Sequence, residues 1–174
     1  GYFVSNLYWI SISLTFDQSF KFLIPFTIIL IPGLLALFYA LVAYLFAVLK
    51  PNKSLSSFFL FSLIFGIVEF LRGSILTGFP WNLIAYSFSN QIEILNITSI
   101  IGTYSFNLFC ISLFTSPSIF ILRENKKDIS VCVAFLITTM SFYVLGSQNL
   151  EKFNSQKVKN LDYKLRILSS NISI

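Results

Sequence analysis

Long apolar segments, separated by short polar loops, constrain this chain to very few folds. Five such segments lie at residues 1–16, 22–49, 55 to about 76, 92–122 and 129 to about 146. At the usual helical rise, the segment 22–49 would be about 42 Å long, which exceeds the ~30 Å hydrocarbon core of a bilayer. Because lipid offers backbone groups no hydrogen-bond partners, such spans form helices. The sequence therefore predicts an all-α polytopic membrane helix bundle with about four full spans and a truncated N-terminal one.

The composition agrees with a membrane protein. Hydrophobic residues make up 56% of the chain and charged residues only 11%, whereas a soluble domain averages about 25% charged residues. So much apolar surface cannot be buried within one water-facing globule. The net charge of +5 comes from basic residues that lie in short loops and in a C-terminal tail. We interpret them as signals of membrane topology and expect no nucleic-acid partner.

Prolines mark where the predicted helices begin, bend or end. Pro25 is expected in the first turn of its span, where a proline is tolerated. The Pro32-Gly33 pair predicts a kink, because proline removes a backbone hydrogen bond. Pro117 is expected to bend or end the fourth segment.

The basic residues in the loops predict an orientation. Loops 50–54 and 123–128 together hold five Lys or Arg, loop 17–21 holds one, and loop 74–90 holds none. By the positive-inside rule the two basic loops are cytoplasmic, and the other two lie on the outer side of the membrane. The C-terminal tail then also lies on the outer side. Its own five basic residues do not contradict this, because long translocated domains are largely exempt from the rule.

The C-terminal tail predicts a change of structure. We expect residues 1–147 to form the helix bundle and polar coil to begin near Gln148. The alternating run "YKLRILSSNISI" then favours a β-strand, the first of a soluble domain that is cut off. Since the only methionine is Met140, we also expect the chain to be a fragment that was truncated before residue 1.

Histidine and cysteine usage points away from a metal or thiol site. The chain has no His, which is the commonest general base and metal ligand. Cys110 and Cys132 both lie in apolar runs without metal-ligand spacing. We interpret both as packing residues, and we expect no metal and no cofactor.

The stretch "GIVEFLRGSILTGFPWN", residues 66–82, is the strongest candidate site. Glu69 and Arg72 are three residues apart, so they share one helix face. Ionisable groups inside a span are costly and mark a functional site by default. Gly78 permits unusual backbone angles, Phe79 before a proline favours an extended conformation, and Trp81 suits a headgroup-level interface. A charged pair below a structured interfacial loop could handle a lipid headgroup. Alternatively, Arg72 snorkels to the interface and Glu69 pairs with it.

Several stretches resemble the bacterial apolipoprotein N-acyltransferases. The most specific is "EFLRGSILTGFPW", with "GYFVSNLYWI" upstream and "GTYSFNLF" further on. The run "LRILSSNIS" resembles the first strand of that family's nitrilase-like domain. The resemblance implies that the bundle ends in the first strand of an α/β nitrilase-like domain, with residues 148–174 as linker and strand.

The resemblance also implies a chemistry. Enzymes of this family transfer an acyl chain from a phospholipid to the N-terminal diacylglyceryl-cysteine of a lipoprotein, through a cysteine, glutamate and lysine triad in the nitrilase-like domain. No catalytic residue of that triad has a counterpart in this chain. This chain would be the membrane scaffold of the enzyme, inactive alone, in the bacterial inner membrane with its tail in the periplasm. Phospholipid and apolipoprotein would be its partners. The candidates for substrate binding are Glu69, Arg72, Pro80, Trp81, Asn82 and Tyr86.

Two hypotheses concern Arg72, and two other function classes remain open. The guanidinium either holds the "TGFPW" loop through a structural pair with Glu69, or it contacts the phosphate of the phospholipid. A transporter or channel subunit would use Glu69 and Arg72 as coupling charges. A membrane-anchoring protein without catalysis would use them for structure only.

Overall fold

The computed structural model describes residues 1–49, 51, 53–75, 78–122, 125 and 128–156. Nine α-helices lie within these residues. They are α1 (Tyr2–Leu7), α2 (Ile10–Ser13), α3 (Ile24–Leu49), α4 (Ser54–Ser74), α5 (Ile92–Leu95), α6 (Thr98–Ile101), α7 (Thr103–Thr115), α8 (Ser118–Leu122) and α9 (Ile129–Ser155). Two 3₁₀ helices, Gln18–Leu23 and Ile84–Phe88, precede α3 and α5. The predicted all-α architecture is confirmed for this part of the chain.

Four helical stretches in the described ranges are long and apolar enough to span a membrane. They are Gln18–Leu49, Ser54–Ser74, Thr103–Ile121 and Ile129–Ser155. Large apolar side chains on these stretches point outward, among them Leu37 and Met140, which are 68% and 72% exposed. Such an outward face suits lipid, which is as apolar as the side chains it meets. The four predicted full spans are confirmed, and the chain is a multi-pass membrane protein.

Prolines and glycines divide the helices much as their chemistry requires. Pro25 is the second residue of α3, and Pro32 lies inside that helix. The turn at Ser116 and Pro117 separates α7 from α8, as predicted. The single segment predicted at 92–122 is wrong, however, because α5 and α6 are short helices before the break at Gly102. Gly102 has φ +80°, which glycine adopts without the steric cost of a Cβ.

Both ends of the chain differ from the prediction. Residues 1–16 form the short helices α1 and α2 instead of one apolar helix. The polar coil predicted from Gln148 is wrong up to Ser155, because α9 continues through that residue. Asn149 supports this extension, since its Nδ2 donates to Oδ1 of Asn96 at 2.8 Å. The predicted strand lies at residues 163–174, outside the described residues.

Glycines allow close contact between helices. On α4, Gly66 lies against Leu108 of α7, and Gly73 lies under the hydroxyl of Tyr104. The two glycines are seven residues apart and so share one face of α4. On α9, Gly146 lies against the backbone carbonyl of Glu93 in α5. Small residues at such crossings let helix backbones approach, as in other membrane bundles. The α4–α7 contact brings the end of α4 and the start of α7 together beside the loop of residues 78–90.

Candidate functional site

The Glu69–Arg72 pair is fully buried near the C-terminal end of α4. Nε and Nη2 of Arg72 donate to Oε1 and Oε2 of Glu69 at 3.1 and 2.8 Å. Glu69 is 0% exposed and Arg72 is 1% exposed. The predicted shared face is confirmed, and the two parallel hydrogen bonds give the fork geometry that a guanidinium forms best. Because the pair is buried, the Arg72 guanidinium is enclosed by protein and is not exposed at the surface.

Arg72 also holds the loop that follows α4. Its Nη1 donates to the backbone carbonyls of Phe79 and Trp81 at 2.8 and 2.9 Å. The ring of Phe3 lies 5.7 Å from Cζ, so the guanidinium also has an aromatic face beside it. Arg72 thus makes four hydrogen bonds to described residues, all of them inside the protein.

The backbone of the loop turns sharply at its start. Gly78 has φ +77°, and its N–H donates to the carbonyl of Ile75 at 2.9 Å. The next N–H, that of Phe79, donates to the carbonyl of Arg72 at 3.1 Å. A Cβ at position 78 would lie 2.5 Å from the backbone oxygen of Gly73. Glycine is therefore required twice at this position, for its φ angle and for space.

Residues of the first helices pack against the loop from its other side. The hydroxyl of Tyr2 donates to the carbonyl of Asn82 at 3.2 Å. The indole rings of Trp9 and Trp81 stack with centroids 5.0 Å apart, and Trp81 also stacks on Phe79 at 5.8 Å. We call Trp9 and Trp81 the indole pair. These two residues are the only tryptophans in the chain, so its tryptophan fluorescence reports on this loop alone.

The structure divides the predicted site residues into two groups. Glu69 and Arg72 lie inside, where they position the loop. Pro80 and Asn82 are partly buried, while Trp81 and Tyr86 are 49% and 46% exposed. Asn82 has φ +61°, a left-handed conformation that asparagine tolerates better than most residues. Trp81 and Tyr86 are therefore the exposed aromatic side chains of this loop.

The geometry favours one of the two hypotheses for Arg72. A phosphate contact needs free N–H groups that a lipid can reach, whereas Arg72 is 1% exposed and directs its hydrogen bonds to Glu69 and to the loop. Leaving either charge without its partner would be costly at this depth. We therefore interpret the pair as the support of the loop.

Sequence reasoning missed the residues that hold the loop from elsewhere. Asn107 of α7 is 1% exposed, and its Oδ1 accepts from the backbone N–H of Ala85 at 2.9 Å. Tyr104, one turn earlier, covers Gly73 and packs edge-on against Phe70 at 5.1 Å. The polar residues of "GTYSFNLF" were the signal that could have identified them. A polar side chain inside a membrane span needs a hydrogen-bond partner when it is buried.

Both cysteines lie in the protein interior. Cys110 is 0% exposed and packs in an apolar cluster with residues such as Leu83 and Phe106. Cys132 is 3% exposed, and its Sγ lies 3.0 Å from the carbonyl of Ser116. Both thiols are therefore enclosed by protein and closed to a substrate outside it.

Comparison with known proteins identifies a family and several relatives that this chain matches. The family described as "Apolipoprotein N-acyltransferase N-terminal domain" matches residues 1–116. The chain is 33% identical to an apolipoprotein N-acyltransferase of Rhodopseudomonas palustris, with 99% of this chain and 32% of that protein aligned. It is 34% identical to one of Rickettsia prowazekii, over 91% of this chain and 33% of that protein.

The chain spans about a third of the length of these curated relatives. No solved structure matches it. The match to the family includes the buried pair, the loop it supports and the start of α7. This chain therefore belongs to the family of apolipoprotein N-acyltransferase N-terminal domains.

Proposed function

We propose that this chain is the membrane scaffold of an apolipoprotein N-acyltransferase. That enzyme would transfer an acyl chain from a phospholipid to the N-terminal diacylglyceryl-cysteine of lipoproteins. The observation that carries the proposal is the buried Glu69–Arg72 pair, which fixes an aromatic loop beside the end of a span in a chain of this family. Burying ionisable side chains inside a membrane span costs free energy, so a buried charge pair there indicates a functional site.

The loop would meet the phospholipid acyl donor at the outer interface. In this proposal Trp81 and Tyr86 contact the glycerol and headgroup region, where amphipathic aromatic rings are most stable. Pro80 and Asn82 shape the surface between them. Glu69 and Arg72 belong to the substrate-binding site through the loop that they support, since Glu69 orients the guanidinium and Nη1 of Arg72 donates to the carbonyls of Phe79 and Trp81.

The covalent chemistry would belong to a nitrilase-like domain that follows the bundle in the periplasm. We place residues 148–174 as the linker and first strand of that domain, with the linker beginning as the last turns of α9, and the bundle in the bacterial inner membrane. The gene sequence beyond the codon of Ile174 tests this directly. A downstream domain with a cysteine, a glutamate and a lysine in nitrilase arrangement is expected. A stop codon at that point would contradict the proposal and favour a membrane-anchoring protein.

The proposed topology can be tested by labelling from outside intact cells. We expect a cysteine at Asn90 to react with a membrane-impermeant maleimide, and a cysteine at Lys53 to react only after the cells are opened. Both side chains are exposed in the structure. The parent chain is the control, since its two native cysteines are buried. Labelling at position 53 but not at position 90 would reverse the orientation.

The 174-residue chain alone is expected to transfer no acyl chain. Nucleophilic catalysis needs an activated side chain, and both cysteines are enclosed by the bundle. The measurement is lipoprotein acylation by the purified chain in detergent with phospholipid, with a full-length relative as the positive control. A thioester on Cys110 or Cys132 would show that the chemistry does not lie in another domain.

A further inference from the structure

The second 3₁₀ helix begins without a cap of its own. The residue at its N-cap is Leu83, whose side chain offers no hydrogen-bond acceptor, and no side-chain cap is formed there. The N–H of Tyr86 donates to the carbonyl of Leu83 at 3.0 Å. The N–H of Ala85 points into the protein instead, where Ala85 is 1% exposed. A backbone donor in such a place needs an acceptor from elsewhere in the fold.

Asn107 supplies that acceptor from another helix. Its Oδ1 lies 2.9 Å from the nitrogen of Ala85, although the two residues are 22 positions apart. Its Nδ2 has no hydrogen-bond partner among the described residues. The carbonyl oxygen of the side chain is therefore the part of Asn107 that acts on the loop. Around this bond, Leu83, Ala85 and Phe106 pack into one apolar cluster.

The loop of residues 78–90 is thus held at two points by buried polar side chains from different helices. Arg72 of α4 holds the carbonyls of Phe79 and Trp81, and Asn107 of α7 holds the N–H of Ala85. The two helices pack directly on each other through Gly73 and Tyr104. A loop anchored at two points to one packed pair of helices has little freedom to move relative to them.

We propose that Asn107 is a positioning residue of the substrate-binding loop. From α7 it acts as a cap for the 3₁₀ helix Ile84–Phe88, which carries Tyr86. This inference rests on the proposed function only in taking the loop as the surface that meets substrate. Arg72 sets the position of Trp81, and Asn107 sets the position of Tyr86. The relative placement of the two exposed aromatic rings then depends on both anchors.

Hydrogen exchange of the full chain in lipid nanodiscs tests the proposal. In Asn107→Leu, which keeps the side-chain size but removes the acceptor, exchange at the Ala85 amide is expected to accelerate about tenfold or more. Exchange at residues 78–82, which Arg72 holds, is expected to stay unchanged. Asn107→Asp keeps an oxygen at the same place, and with its carboxyl protonated it adds no buried charge, so at acidic pH it is expected to restore most of the protection at Ala85. Unchanged exchange in Asn107→Leu would overturn the proposal.

Two further results separate a cap from simple packing. If Asn107→Asp exchanges as fast as Asn107→Leu, the side-chain oxygen is not the anchor and the proposal fails. The matched control is Asn149→Leu, which removes the exposed hydrogen bond to Asn96 and should leave Ala85 unaffected. Hydrogen exchange is measured without acyl transfer. The exchange result for Ala85 therefore remains valid even if the acyltransferase proposal fails. Conversely, a full-length enzyme that acylates lipoproteins normally with Asn107→Leu would contradict only the positioning role.

Discussion

Replacing Arg72 with alanine is expected to remove most of the folded protein from the membrane. The change leaves the Glu69 carboxylate, which is 0% exposed, without its partner. It also leaves the carbonyls of Phe79 and Trp81 without their donor. Stranding one member of a buried ion pair costs about 3–5 kcal/mol. That is a large part of the stability of a typical domain, which is about 5–15 kcal/mol.

Neutralising the partner should recover part of this loss. In Glu69→Gln combined with Arg72→Ala the stranded charge is gone, so we expect more folded protein than with Arg72→Ala alone. Arg72→Lys keeps the charge but cannot form the fork and also reach both carbonyls. We therefore expect its amount of folded protein to lie between those of Arg72→Ala and the double variant. Membrane abundance, thermal stability in detergent and acyl transfer by the full-length enzyme are measured separately.

Tryptophan fluorescence adds a local measurement, because both tryptophans form the indole pair. Loss of the loop anchor should change the emission even in molecules that remain folded. Single and double variants that fold equally well and are equally inactive would favour a phosphate contact for Arg72. Full stability and activity in Arg72→Ala would eliminate both hypotheses.

A single methyl group at Gly146 is expected to separate α9 from α5. A Cβ there would overlap the backbone oxygen of Glu93, and a backbone atom cannot rotate out of the way. Overpacking of this kind costs about 1–3 kcal/mol, and a backbone clash lies at the upper end of that range. We therefore expect Gly146→Ala to lower the melting temperature in detergent and to weaken the hydrogen bond between Asn149 and Asn96.

Gly33 of α3 is the matched control for this prediction. It also lies within a long apolar helix, but, apart from its chain neighbours and the backbone of its own helix, no atom lies within 4 Å of a Cβ built there. Alanine is favoured over glycine inside helices by about 0.5–1 kcal/mol, so Gly33→Ala should be neutral or stabilising. If the two alanine variants melt at the same temperature, the close contact between α9 and α5 does not carry the expected energy.

The spans could be predicted because they depend on local composition. A run of apolar residues as long as 22–49 has no alternative in lipid to a helix, since each backbone group must be satisfied within the segment. The same logic placed Pro25 in a first turn and the break at Pro117. It failed for 92–122, where apolar character continues through Gly102 although the backbone turns there. The hydrophobicity of a segment does not predict the φ angle that a glycine in it adopts.

The candidate site could be predicted only in part. Spacing alone puts Glu69 and Arg72 on one face, and the structure confirms that they pair. Spacing does not show which groups a guanidinium reaches beyond its own helix. The carbonyls of Phe79 and Trp81 come within reach because Gly78 turns the chain back over the end of α4.

The sequence by itself determined that this protein is a helical membrane bundle with a charge pair on one helix face, because these properties follow from residue type and from separations of a few positions. Tertiary structure decided how the loop is held. Trp9 meets Trp81, Tyr2 meets Asn82 and Asn107 meets Ala85 across 22 to 80 positions. Those contacts depend on how α1, α4 and α7 pack, and packing is set by the shapes of side chains from all three helices together.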